Sequence, residues 1–414
     1  MKRVFFFTYY YPPIGGVASL RNVKLANYLL DFGWEPVVFH GGKGAVFPAD
    51  PALVNQVNPA IRRIAVRTLE AAAINRLLDR RGLRRLWAAL PLLFLPDPQI
   101  AWTAGTIRAA EKDMREHGRP DAVFTSAAPF SANLAGLHFK TRHGIPWIAD
   151  FQDEWTFNPA ARFLTPLHRR FAEHYERATF NESDVLTTVT PPLVERFGRE
   201  RPPGKPVALL RDGYDEADFA GAPPAKLADK WTLAYIGTAY ASIDPKPILE
   251  ELTALIRAGK IDGARVRVAH AGRGQIRWPD DSPFEKKVLG FVPHEEAVRW
   301  MREAHALIIL REHPGASSGR IYEYMRAETP IISMGRHDSE LSRLLADTGA
   351  GAYFPFDNRA ALREHLLQSW LRWESGATMR PREVSQQIEA YSRRSEAREL
   401  AALLDRVAVA GPVS

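Results

Sequence analysis

Cysteine is absent from the chain. That excludes disulfides, thiolate metal sites and a cysteine nucleophile, and leaves the compartment open. No stretch approaches the ~20 consecutive apolar residues of a membrane span. The apolar start, Met1–Phe7, is short for a signal peptide. Tyr9-Tyr10-Tyr11-Pro12-Pro13 follows it where a small-residue cleavage site belongs, so it reads as the first buried strand of a cytoplasmic protein. There is no low-complexity segment and no internal repeat. The fingerprint GxGxxG is missing, and His40 stands where a dinucleotide site places an acidic residue, which argues against a nicotinamide enzyme. A broad excess of charge is lacking too. The net charge is +7, but Ile61–Trp87 holds eight arginines (62, 63, 67, 76, 80, 81, 84, 85) against Glu70 and Asp79, a local +6. The rest of the chain is close to neutral.

What is present is an ordinary globular balance, 46% hydrophobic and 25% charged, over 414 residues. Single cores stop growing near ~250–300 residues, so two domains are expected. The pattern is strand, loop, helix, repeated. Arg3–Thr8 reads as a strand, followed by a helix carrying Leu20, Val23, Ala26 and Leu30 and ending at Gly33. Pro36–His40, Asp121–Thr125, Pro146–Asp150 and Asp184–Val189 are further strands. The pattern restarts at Trp231–Ile236 and runs on through Arg265–His270, Lys287–Phe291, His305–Leu310, Pro330–Met334 and Ala350–Phe354. Alternation of this kind predicts parallel sheets covered on both faces, an α/β class. The proline-rich stretch Pro202–Pro206 places the boundary near residue 205. The expected division is residues 1–205, 206–380 and a C-terminal helical segment, 381–414, that can pack back across the linker.

In open parallel sheets ligands bind beyond the carboxyl ends of the strands, and four loops there carry chemistry. Tyr11-Pro12-Pro13-Ile14-Gly15-Gly16 opens the first helix, whose amides and dipole favour an anion; a plain glycine turn is the alternative. Ala316-Ser317-Ser318-Gly319-Arg320 opens another, where Ser318 caps the helix and Arg320 offers a fork that matches a phosphate. Glu323 follows one turn on, placed to accept ribose hydroxyls or to pair with Arg320 on an ordinary helix surface. Ile236-Gly237-Thr238-Ala239, with Lys246 after it, and Ala271-Gly272-Arg273-Gly274 complete the set.

These residues resemble, in order and over nearly the whole length, a GT-B glycosyltransferase of the large retaining family 4, the group 1 glycosyltransferases. Tyr9–Gly16 is similar to that family's opening Tyr-x-Pro-x-x-Gly-Gly loop. Thr125–Pro129 and Pro146–Trp155 resemble its Thr-Ser-x-Pro and Asp-Phe-Arg-Asp-x-Trp stretches. Asp184–Pro192, Leu210–Asp215 and Tyr235–Thr238 match its linker and second-domain start, and Gly319–Tyr324 its Gly-Lys-x-x-Glu-Tyr motif. The resemblance implies two Rossmann-like domains facing across a cleft, with a nucleotide sugar between them. It implies that the Gly15 and Gly16 amides touch the donor diphosphate and that Lys246 and Arg320 neutralise it. Glu323 would hold the ribose, while Gly272–Gly274 and the backbone at Phe291 and Val292 surround the base. The acceptor is expected near Ser126, Asp150 and Asp153. Departures fall mainly at the catalytic positions: Gly315 replaces the earlier glutamate of the donor motif, Thr238 an arginine, Ser126 or Ala127 a histidine, and Gln152 the arginine of Asp-Phe-Arg-Asp.

The expected reaction is sugar transfer to an acceptor hydroxyl, with Ser126, Asp153, Lys246 and Arg320 as the catalytic set. The leaving diphosphate demands cations and aimed amides more than a strong base. No cofactor is expected, and no metal, although Asp150-x-x-Asp153 is an alternative cation site. For the basic segment, arginines beside Trp and Leu suit an anionic bilayer. Arg80, Arg81, Arg84, Arg85 and Trp87 are the expected membrane-facing residues. A packed helix with a solvated face is the alternative, and no nucleic-acid motif is present. The expected partners are a nucleotide sugar and a polysaccharide or lipid-linked acceptor, with surface polysaccharide or lipopolysaccharide assembly as the setting. The location is cytoplasmic, peripheral on the inner face of the membrane. The rival functions are a sugar-nucleotide epimerase or hydrolase, and a sugar-nucleotide-binding protein without catalysis.

Overall fold

The computed structural model describes residues 1–42, 49–66, 95–158, 161, 163–221, 227, 229–239, 244–311, 319–337, 339–377 and 385–410. Ser318 and the membrane-facing set Arg80, Arg81, Arg84, Arg85 and Trp87 lie outside the described residues. The chain divides into two compact units, Met1–Arg211 with Arg393–Ser414, and Asp212–Ser392.

The first unit is built on seven parallel strands. They are β1 (Lys2–Thr8), β2 (Trp34–Gly41), β3 (Arg62–Val66), β4 (Ala122–Ala127), β5 (Trp147–Phe151), β6 (Val185–Thr188) and β7 (Val207–Leu209). Their order is β3-β2-β1-β4-β5-β6-β7, so the winding reverses between β1 and β4. The helices among them are α1 (Val17–Leu29), α2 (Pro51–Asn55), α3 (Ile100–His117), α4 (Ala132–His143), α5 (Pro166–Glu182) and α6 (Pro191–Glu200). Aromatic residues on alternate faces of β1 seed two cores. Phe5 and Phe7 join Phe39, Trp102 and Phe139 on one side. Val4 and Phe6 join Leu25, Trp34 and Phe124 on the other, as the period-2 alternation of a strand requires.

The second unit repeats the plan with β8 (Trp231–Ile236), β9 (Val266–Ala271), β10 (Glu285–Gly290), β11 (Ala306–Arg311), β12 (Ile331–Gly335) and β13 (Gly351–Pro355). All are parallel in the order β10-β9-β8-β11-β12-β13, reversing between β8 and β11. Its helices are α7 (Lys246–Arg257), α8 (His294–Glu303), α9 (Gly319–Arg326), α10 (Glu340–Thr348), α11 (Arg359–Glu374) and α12 (Ser385–Ile388). The chain then ends in α13 (Arg393–Ala410).

Three points differ from the sequence-based expectation. The units part at Arg211/Asp212 and not at residue 205, because β7 completes the first sheet beside β6. The second unit extends beyond residue 380 to Ser392. There α12 and the turn at Tyr391 pack on its core, with Ile388 buried beside Tyr322. Two edge strands, β3 and β7, were not expected; each is short, and neither carries a long apolar run. The C-terminal helix belongs to the first unit: Ala397, Leu400 and Leu404 of α13 lie in the same core as Val23 and Ala26 of α1.

Candidate functional site

In each sheet the reversal of winding leaves a crevice at the carboxyl ends of two neighbouring strands, where ligands of open α/β sheets bind. In the second unit those strands are β8 and β11, and the loops around them form a tight cluster. Gly237 leaves β8 with φ 132° and Gly272 leaves β9 with φ 151°. Both values lie where side chains are strained. The two loops are laced together by Gly237 N–H to Ala271 O (2.6 Å) and Ala239 N–H to Arg273 O (2.8 Å). A Cβ on Gly272 would strike the Gly237 carbonyl, and one on Gly237 would strike the Arg320 guanidinium. Glycine at these positions is therefore required by close approach.

Arg320 sits at the first turn of α9. Its guanidinium carbon lies 5.0 Å from the centre of the Tyr235 ring, and Nη2 donates to Thr238 O at 3.4 Å. The strand end beneath it is locked by Tyr324, whose hydroxyl accepts from Ile236 N–H (2.8 Å) and donates to Ile236 O (3.2 Å). Burial pushes the Tyr324 phenol above its ordinary range, so it stays a neutral bridge. His270 contacts Gly237 O through Nε2 at 3.3 Å. Burial, with a contribution from Arg320, lowers its pKa against the raising effect of that carbonyl. The imidazole is neutral near pH 7, and Arg320 stays a cation beside it. Arg273 lies over the ring of Phe291, 5.1 Å from its centre. Phe291 is 72% exposed, and Val292 beside it is half-buried, so the ring is an open platform. Glu323 on α9 is half-buried and lies 3.9 Å from His294 Nε2, which also reaches Asp218 at 3.1 Å.

Lys246 is placed differently. It is the first residue of α7, its amide donating to Asp244 Oδ1 (2.9 Å). Its ammonium lies 3.8 Å from Glu250, in a groove shared with Thr253, Arg257 and Asp280. Of the expected donor residues, the structure joins Gly237, Thr238, Gly272 and Arg273 in one cluster with Arg320 and sets Phe291 beside it. It adds Tyr235, His270, Tyr324 and His294, which were not singled out from the sequence. Tyr235 and Tyr324 stood in the matched motifs without a role of their own; for the other two the signal was position alone, His270 near the end of β9 and His294 at the start of α8.

In the first unit the corresponding loop follows β1. Gly16 stands just before α1 with φ 108° and, having no side chain, makes no side-chain cap, while Gly15 is buried beside it. Asn22 holds the loop by donating to Thr8 Oγ1 (2.8 Å) and Tyr10 O (3.0 Å). His40 at the end of β2 is buried, and desolvation lowers its pKa to about 4, so no charge stands there. Near the end of β4, Ser126 is 1% exposed and accepts from Gln152 Nε2 at 3.1 Å. Phe130 stacks on Trp155 (4.7 Å, 4°). Asp153 is exposed in the loop that follows β5.

Asp150, expected on the acceptor side, is instead the centre of a buried ion-pair network. It is 0% exposed. Its Oδ2 takes Arg21 Nη1 at 2.6 Å and its Oδ1 takes the Thr187 hydroxyl at 2.7 Å. Arg21 Nε also reaches Glu396 (2.7 Å), which Arg393 holds at 3.1 Å. The carboxylate expected near the acceptor ties α1, β5, β6 and α13 together. The same burial removes it from any Asp150-x-x-Asp153 cation site.

Residues 18–213 match the family model described as a glycosyl transferase 4-like domain. No curated protein sequence matches the chain. Among solved structures, sucrose-phosphate synthase from Thermosynechococcus elongatus is similar with a TM-score of 0.69 at 12% identity, over 99% of this chain and 100% of that one. Anabaena HepE in complex with UDP and glucose is similar with a TM-score of 0.64 at 12% identity, over 98% and 100%. WaaG, a glycosyltransferase involved in lipopolysaccharide biosynthesis, is similar with a TM-score of 0.54 at 14% identity, over 100% of both. The chain therefore has the GT-B fold of two parallel-sheet α/β domains, and residues 18–213 resemble a glycosyl transferase 4-like domain.

Proposed function

We propose that the chain is a glycosyltransferase that moves a hexosyl group from a nucleoside diphosphate to an acceptor hydroxyl, with retention. The observation that carries this is the cluster at the β8–β11 crevice, a permanent cation held over glycine-lined backbone. As the glycosidic bond breaks, negative charge builds on the departing diphosphate. Arg320, fixed by Tyr235 and Thr238 O, neutralises it at no cost in reorganisation. Removing one such donor typically slows a reaction by ~10²–10³. Phe291 and Arg273 offer a stacking edge for the base, and Glu323 with His294 a polar pair for the ribose. Gly319 starts the helix that carries both Arg320 and Glu323. Lys246 enters as a second cation on leaving its pair with Glu250. In the first unit, the uncapped start of α1 at Gly15 and Gly16 is a further anion-binding feature. Exposed Asp153, next to the Gln152 that donates to Ser126, marks the acceptor loop.

HepE was solved with UDP, so uridine nucleotides are the first to try. The test is a thermal-shift screen of UDP-, GDP-, ADP- and dTDP-sugars. The matching donor should stabilise by about 2.7 kcal/mol at a hundredfold excess over Kd. No shift with any of them sinks the proposal, and donor consumption without acceptor would replace transfer by hydrolysis or epimerisation. The reaction is proposed to need no metal, so activity should survive excess chelator. The acceptor is proposed to be a polysaccharide or lipid-linked sugar at the inner face of the membrane. No described helix is long and apolar enough to cross one. Association would rest on the arginines of the basic segment, and replacing Arg80, Arg81, Arg84 and Arg85 by Glu should abolish flotation with anionic liposomes.

A further inference from the structure

The carboxyl-terminal halves of α3 and α4, in the first unit, bring together three side chains that the sequence separates. Glu111 of α3 receives two imidazoles of α4 on one oxygen. His138 Nε2 is 2.9 Å and His143 Nε2 is 2.8 Å from Glu111 Oε1. Among the described residues this is the one group of three histidine and acidic side chains whose ligand atoms all lie within 4.8 Å of one another. The rings are not adventitiously placed. His143 stacks on Phe139 at 5.5 Å and 27°, and His138 meets the same ring edge-on at 5.3 Å. Both imidazoles and the carboxylate are a fifth to a quarter exposed, so an ion can enter from solvent.

We propose that Glu111, His138 and His143 form a binding site for a divalent transition-metal ion of the zinc class. Two imidazole nitrogens and one carboxylate oxygen are a borderline-soft N₂O set, and zinc takes such sets tetrahedrally with water as the fourth ligand. Metal–ligand bonds of ~2.0–2.1 Å require ligand atoms ~3.3–3.4 Å apart in a tetrahedron. The histidine–carboxylate separations of 2.8 and 2.9 Å must therefore open by about half an ångström. Partly exposed side chains at the ends of two helices can do that by small rotations. The ion would replace the two Nε2 protons that now hold the cluster together, and would clamp α3 to α4. Those helices frame the loop after β4: Asp97, just ahead of α3, accepts the Ser131 amide at 2.7 Å, and Thr103 donates to Ser131 O at 2.9 Å. The clamp acts through the stability of the first unit and does not depend on the proposed reaction.

The test is calorimetric titration of the chelator-treated full chain with Zn²⁺ alone, together with melting curves. Saturable binding near one equivalent and a melting temperature that rises with Zn²⁺ are expected. Glu111→Gln, His138→Asn and His143→Gln should each weaken binding tenfold or more and abolish the rise. A surface control, His337→Gln, should leave both unchanged. Co²⁺ bound to the wild-type chain should show the visible absorption of a tetrahedral complex, lost in the same variants. If Glu111→Gln does not fold, His143→Gln at the helix end carries the same test. Absence of saturable binding in the wild-type chain, or equal affinity in the wild-type chain and the folded variants, overturns the proposal.

Discussion

Gly237→Ala is a one-methyl change that separates the donor cluster from the fold that supports it. The new Cβ lands on the Arg320 guanidinium, the far end of a flexible side chain, while the backbone is asked to keep φ 132°. Strain at such a position costs ~1–3 kcal/mol, and a unit of this size loses about 2–4 °C of melting temperature per kcal/mol. The second unit should stay folded, with a modestly lower melting temperature. Arg320 should not stay over Tyr235. Removing a charge-assisted contact costs binding ~2–5 kcal/mol, so Arg320→Ala should weaken nucleoside diphosphate affinity by roughly 10²-fold at tenfold per 1.4 kcal/mol. Gly237→Ala should approach the same loss, because it displaces the same group. The double variant discriminates. Independent effects would multiply to roughly 10⁴-fold, whereas a shared cause leaves the double variant near 10². Isothermal titration with the nucleotide found in the screen reads all three proteins. Wild-type affinity in Gly237→Ala, or fully multiplicative losses, would refute the reasoning that glycine is there to seat Arg320.

Two further predictions concern the first unit. Glu176 of α5 is buried, and desolvation raises its pKa to about 7 while Thr156 donates to it from both amide and hydroxyl. Its folded pKa lies above the unfolded value, so the native chain holds the proton longer. Stability should fall as pH rises from about 4.5 through 7, by at most ~1.4 kcal/mol per pH unit. Glu176→Gln should flatten that slope in urea titrations at pH 5.5 and 8 and stabilise the protein at pH 8; an unchanged slope removes Glu176 as its source. Asp150→Asn leaves Arg21 with Glu396 as its remaining carboxylate in the network. Breaking one side of a buried pair costs ~3–5 kcal/mol, so a melting temperature within a degree of wild type would show that the network contributes little.

Much of the fold was legible in the chain because parallel strands buried on both faces leave a strong mark. β8 is the apolar run Trp231–Ile236 itself, and β1, β2, β4 and β5 fall within a few residues of theirs. The edges were not legible. β3 holds Arg62 and Arg63, with Arg62 paired to Asp113 of α3, and no periodic apolar signal survives in such a strand. The boundary moved past residue 205 for a related reason, since proline and glycine mark a turn but do not say which sheet the next three residues join.

At the site, the sequence by itself determined where glycine and arginine stand relative to strand ends, because backbone conformation and helix starts are local matters. Gly237, Gly272 and Arg320 are of this kind. Only the tertiary structure decided which side chains meet. Asp150, the last residue of the strand read as Pro146–Asp150, reads as an acceptor-side carboxylate, yet Arg21 and Thr187, far away in sequence, consume it. Glu111 is 27 residues from His138 and 32 from His143, a separation at which no motif spacing operates. Whether a polar group is open to a ligand depends on what surrounds it, and those surroundings are assembled by the packing of elements distant in the chain.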